Sequence, residues 1–163
     1  MKLEVILIPI ITTAFTTAVL YLKESKQNKQ KIKRTITEQK LTELYNKLFS
    51  LSLIYTDKLE QSFYKVPKGM FELGGELVPE EDKMMIKNKE LWDDVIKQIR
   101  ELIHSKLHLL EEDDLRNWHQ IELMELEESM EDKVNIYKYK KLEMFLVDVS
   151  LRYHQLYKQY HLK

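Results

Sequence analysis

The chain has 163 residues, 44% of them hydrophobic and 33% charged, with a formal net charge of -1. That is one domain's worth of protein, and its balance excludes both a chain disordered by composition and the broad basicity of many nucleic-acid binders. No cysteine occurs, which excludes a disulfide framework, a thiolate metal site and a cysteine nucleophile.

In chain order, the first element is an uncharged run from Val5 to Leu22, VILIPIITTAFTTAVLYL. As a helix it would be roughly 27 Å long at 1.5 Å per residue, a match to a bilayer core, and residues 1–22 are therefore expected to form a transmembrane segment. Thr16 and Ala18 have the small size that precedes a signal-peptide cut, but the apolar run continues through Leu22, so the cut would fall inside it. Thr12, Thr13, Ala14, Thr16, Thr17 and Ala18 offer small-xxx-small pairs for close helix approach, spread around the helix rather than on one stripe.

A basic stretch follows over 23–34. Lys2 alone precedes the run, whereas Lys23, Lys26, Lys29, Lys31, Lys33 and Arg34 crowd behind it. The positive-inside rule then puts the N-terminus outside and the C-terminal region in the cytoplasm. The same six bases are candidates for contacts with anionic lipid headgroups, each worth on the order of 1 kcal/mol near the surface.

Residues 35–163 read as a cytoplasmic helical bundle. Thr35-Ile-Thr-Glu38 has the form of a capping box, and Leu41, Leu44, Leu48, Leu51, Tyr55 and Leu59 then recur at helical spacing, with Tyr45, Phe49 and Ile54 widening the face. Glu43 and Lys47 form a favourably ordered pair four apart. All three glycines and two of the three prolines fall between Pro67 and Pro79, so 66–79 is expected to be a loop; its glycines lack the pattern that cradles phosphate. A second helix is expected from about Pro79 or Asn88 to Leu110, with Trp92, Val95, Ile96, Ile99, Ile103, Leu107 and Leu110 inward and Asp93 paired with Lys97 outside. Glu111 to Asp114 suits the positive end of a third helix, whose apolar positions are Leu115, Trp118, Leu123, Leu126 and Met130. A fourth carries Val134, Tyr137, Phe145, Val149, Tyr153, Leu156 and Tyr160. The acidic stretch from Glu111 to Asp132 beside the mostly basic Lys133 to Lys163 favours packing of opposite-sign helices. The fold class that results is all-α: one N-terminal transmembrane helix and an antiparallel bundle of three or four helices.

The candidate chemistry is sparse. His104 and His108 stand four apart, and Glu101-Leu-Ile-His104 matches half of a di-iron motif, but the second ExxH element is absent from the sequence. Both histidines are expected on a solvated face, and no metal, cofactor or catalytic residue is assigned. The acids at 111–114 lack calcium-loop spacing, and no nucleophile signature occurs. The ending from Arg152 to Lys163 mixes bases with aromatics, a combination that stacks on nucleic acid or sits at a membrane interface, but helical packing explains it and no nucleic-acid partner is expected.

The short span, the basic stretch and a helix of the form Leu41-Thr-Glu-Leu-Tyr45…Leu48-Phe-Ser-Leu51 together resemble small bacterial or prophage single-span membrane proteins with a helical cytoplasmic region. The resemblance covers roughly the first 60 residues and implies an anchored helical domain and no reaction. The leading expectation is a membrane-tethered interaction module, not an enzyme, that binds a protein partner or itself. The alternatives are a phage-type lysis or superinfection-exclusion protein and a helical-bundle enzyme with a cryptic site.

Overall fold

The computed structural model describes residues 4–74, 76–131 and 134–161, without the side chains of 4–16, 18, 71–73 and 77–79. The protein is mostly helical. Helix α1 spans Glu4–Gln39 and is followed by a π-helical turn at Lys40–Tyr45 and by α2 at Asn46–Glu60. Strands β1 (Phe63–Val66), β2 (Met70–Leu73), β3 (Glu76–Pro79) and β4 (Lys83–Ile86) come next. Then follow α3 (Lys89–Ser105), a 3-10 turn (Leu107–Leu109), α4 (Glu112–Glu131) and α5 (Ile136–His161). The chain divides into two compact units, Met1–Glu38 and Gln39–Lys163.

In the first unit the expected transmembrane run lies on α1, but most of its side chains, from Val5 to Phe15 and at Thr16 and Ala18, are outside the described residues. Among the described residues no helix is long and apolar enough to cross a membrane. Thr35 does not start a helix. Its backbone is already inside α1, and its hydroxyl returns to the carbonyl of Lys31 at 3.1 Å instead of capping. A capping box needs a chain that enters from a non-helical Ncap, and the good helix formers from Lys23 onward leave no such break.

In the second unit the core is made by Leu41, Leu44, Tyr45 and Leu48, by Trp92, Val95, Ile96, Ile99 and Ile103 of α3, by Trp118 and Ile121 of α4, and by Tyr139, Leu142, Phe145, Leu146 and Val149 of α5. Leu51 and Tyr55 pack at its edge, and Ile54 is exposed. Phe49 stacks on Tyr153 with ring centroids 4.3 Å apart, and Lys140 caps the ring of Phe63 at 3.7 Å, so α5 runs antiparallel to α2. Asn117 donates to Asp148 at 3.0 Å and Arg152 to Asp114 at 3.3 Å, which makes α4 and α5 antiparallel as well.

The segment 66–79, expected as a loop, carries strand instead. Strand β2 pairs with β3 through Leu73↔Glu76, and β1 pairs with β4 through Phe63↔Ile86, which makes one long hairpin in two sections. Gly74 has φ +63°, the left-handed geometry that two-residue hairpin turns need. Its base is tied down where Lys87 N donates to the Ser62 carbonyl at 2.9 Å and Trp92 Nε1 to the Lys87 carbonyl at 3.0 Å. The second helix is shorter than expected, since α3 ends at Ser105. The third and fourth helices are separate: Asn135 Oδ1 accepts from the Tyr137 amide at 3.1 Å, which caps the start of α5.

Candidate functional site

Helix α4 carries the feature that departs most from ordinary packing. Of the apolar positions expected to face its core, only Trp118 is buried. Leu115, Leu123, Leu126 and Met130 are 37%, 45%, 58% and 79% exposed. Beside Trp118 and Ile121, the inward side of α4 carries acids. Glu125 pairs with Arg100, Glu128 with Lys138 at 2.6 Å and with Lys89 at 3.1 Å, and Asp114 is buried beside Tyr45 and Arg152. Because cations of α3 and α5 face this helix, its carboxylates turn inward and its leucines turn out.

Two ion networks result. In the first, the Lys138 side chain is 2% exposed and reaches Asp93 at 3.0 Å as well as Glu128. Asp93 also takes Lys89 at 2.6 Å and the Tyr139 hydroxyl at 2.8 Å. Burial pushes the Asp93 carboxyl up, but the hydrogen bonds from Lys89, Tyr139 and Lys138 outweigh it and hold the group below the usual carboxylate range. The expected Asp93 and Lys97 pair is thus replaced by partners on α3 and α5. In the second network the Tyr45 hydroxyl donates to Asp114 Oδ2 at 2.6 Å and accepts from the Glu111 amide at 3.0 Å. Here burial dominates, and Asp114 sits above its ordinary value despite Tyr45 and Arg152. Glu43, expected to pair with Lys47, reaches Lys106 at 2.6 Å instead and is held low by that bond.

Two clefts involve α4, and the first reaches Glu128 of the Lys138 network. One, of about 570 Å³, opens at the α4–α5 turn and includes Met84, Glu127, Glu128, Tyr137 and Lys140 in its walls. The other, of about 440 Å³, is walled by Leu107, Leu115, Trp118, His119, His104 and Glu122. His104 Nε2 lies 2.8 Å from Glu122, whereas His108 lies on the 3-10 turn beyond α3, so the helical ladder that would align the two histidines is broken. Among the described residues no group of three or more His, Asp or Glu side chains is placed to hold a metal ion.

The six candidate lipid-contacting bases Lys23, Lys26, Lys29, Lys31, Lys33 and Arg34 are all exposed on α1. At 100° per residue they spread around more than half of the helix, a collar rather than a stripe. Helix α5 carries a second exposed apolar line, Tyr137, Met144, Val147 and Leu151, on the side away from Leu142, Phe145 and Val149.

The chain matches no protein-family model, no curated protein and no solved structure.

Proposed function

We propose that this protein is a membrane-tethered helical interaction module. In this reading Val5–Leu22 crosses the bilayer once with the N-terminus outside, the collar from Lys23 to Arg34 meets anionic headgroups, and the unit from Gln39 onward presents a docking surface at the cytoplasmic face. The inversion of α4 carries the reading. Four large apolar side chains on one helix face water while Asp114, Glu125 and Glu128 share the inward face with Trp118 and Ile121, and exposed apolar surface rimmed by charge marks interaction sites. Val19, Leu20, Tyr21 and Leu22, all roughly half exposed or more, fit the end of a span and its interfacial tyrosine.

The test is in-cell crosslinking of the tagged full chain against Leu123→Gln with Leu126→Gln. The double variant keeps its membrane association and helicity but loses crosslinked partners. Unchanged crosslinks would remove α4 as the docking surface. For topology, a reporter fused after Lys163 is active in the cytoplasm only, and activity outside the membrane would overturn the orientation.

A further inference from the structure

The exposed line of α4 is apolar along its length and acidic at its sides. Leu123, Leu126 and Met130 follow one another at steps of three and four, and Leu115 continues the line two turns earlier, so it runs for about 22 Å along the helix. At 100° per residue, Glu127 and Glu131 stand between that line and Asn117, which faces α5. Both are exposed, and neither is paired with a cation among the described residues. The negative end of the α4 dipole lies at the same end, where the last turn holds no base. On the opposite flank α3 faces α4 through Arg100 and His104, and the exposed arc of α3 next to them carries Glu90, Asp94 and Glu101 against the single base Lys97.

Elsewhere around the line the charges balance. Glu112 is bound by Arg116 and Asp113 by Arg152, while Lys140 and Lys141 of α5 stand against Glu143 and Asp148. Asp82 and Lys83 cancel in the wall of the 570 Å³ cleft that Glu127 and Glu131 share. The surround of the α4 line is therefore acidic in net.

Such a face selects its partner by spacing and by sign. An apolar line at steps of three and four is covered by a second helix with apolar residues at the same steps, and unpaired carboxylates at its sides favour lysine or arginine beside those residues. A second α4 would set acid against acid, and an anionic bilayer surface has the wrong sign. The basic collar of α1 exposes two large apolar side chains between Lys23 and Gln39, Ile32 and Ile36, against four on α4.

We propose that α4 takes a basic amphipathic helix of a partner protein, laid along Leu115 to Met130 with its bases at Glu127, Glu131 and the acids of α3. The exposed Tyr137 in the wall of the cleft offers one of those bases an aromatic face beside the two carboxylates. The proposal rests on the reading of α4 as the docking surface and adds the chemistry of its partner.

The chain has no native cysteine, so Ser129→Cys carries an environment-sensitive dye at one place, beside Leu126 and Met130. The labelled full chain in non-ionic detergent is titrated with a synthetic peptide of about 18 residues, long enough to cover the line, with leucine on one helical face and lysine elsewhere. A twin peptide carries glutamate in place of lysine. The lysine peptide is expected to saturate the signal and the glutamate twin to bind at least about tenfold more weakly. Glu127→Gln with Glu131→Gln weakens the lysine peptide about threefold to tenfold and flattens its salt dependence, while Leu123→Gln with Leu126→Gln removes the signal. Equal binding of the two peptides, or unchanged affinity in the glutamine variant of the acids, overturns the basic partner. So does a signal that rises with protein concentration alone or with anionic vesicles, which would make a second copy or a membrane the occupant. If the charge preference fails while in-cell crosslinks still depend on Leu123 and Leu126, the docking surface stands and the partner's chemistry is refuted; if neither depends on those leucines, α4 itself is removed.

Discussion

Lys138 shows what a single buried charge does to this fold. Its ammonium stands between Asp93 and Glu128 with almost no access to water, so Lys138→Met leaves two carboxylates facing each other with only the half-exposed Lys89 between them. Breaking a buried pair from one side is costly, and we expect a loss of about 3 kcal/mol in thermal unfolding. The half-buried Asp93 and the buried Asp114 differ in sign. Asp93 is held below its ordinary value of 3.8, so its contribution is present above that pH and is lost as pH falls through the lowered value. Asp114 is held above 3.8, so it favours the folded state as pH falls and opposes it as pH rises. Asp93→Asn is therefore most harmful at neutral pH, with a cost that fades towards pH 3. Asp114→Asn compares best with the native protein at neutral pH and worse as the solution is acidified. Melting temperatures of both variants at about pH 7 and pH 3.5 check this, and parallel profiles would contradict the assignment.

Among the elements, the helices were more legible than their faces. The spacing of Trp92, Val95, Ile96, Ile99 and Ile103 marks the buried side of α3, because apolar packing sets that face, whereas Leu107, expected inward on the same helix, lies past its end and is exposed. For α4 the same rule selects Leu115, Leu123, Leu126 and Met130, which lie on the outside. The buried face there is decided by Arg100, Lys89 and Lys138, residues distant in sequence, and a single helix's periodicity carries no information about them. The hairpin had a local signal that the breaker content overshadowed: Phe71-Glu-Leu73 alternates before the Gly74-Gly75 pair, and the strand formers Leu77 and Val78 follow it. The start of α5 likewise had Asn135 as its cap. Asn88, entering α3 at φ 55°, is the position where side-chain choice matters most for an element boundary. Asn88→Gly is expected to change stability by no more than about 0.5 kcal/mol, whereas Asn88→Val costs about 1–2 kcal/mol, because a β-branched residue does not tolerate the left-handed region. Equal melting temperatures would place the strain elsewhere.

At the scale of the whole molecule, the residues of the apolar core cluster, from Leu41 to Leu156, all belong to the second unit. Deletion of the first 34 residues is thus expected to leave a strongly helical protein that unfolds cooperatively, since Leu44, Leu48, Ile99, Trp118 and Phe145 still bury one another. Two neighbouring substitutions test the packing of its first helical segment. Leu48 is fully buried, and Leu48→Asp places an unpaired carboxylate among apolar side chains, at a cost of several kcal/mol against a total of about 5–15 kcal/mol. Lys47 is exposed, and Glu43, one turn away, is engaged with Lys106. Lys47→Asp therefore adds only a like charge on a solvated face and costs about 0.5 kcal/mol. Thermal unfolding followed by circular dichroism, with both variants at one concentration, separates the two. Equal sensitivity at 47 and 48 would mean that this helix does not pack through Leu48, and a truncated protein without a cooperative transition would mean that the unit depends on the first 34 residues or on a neighbour for its stability.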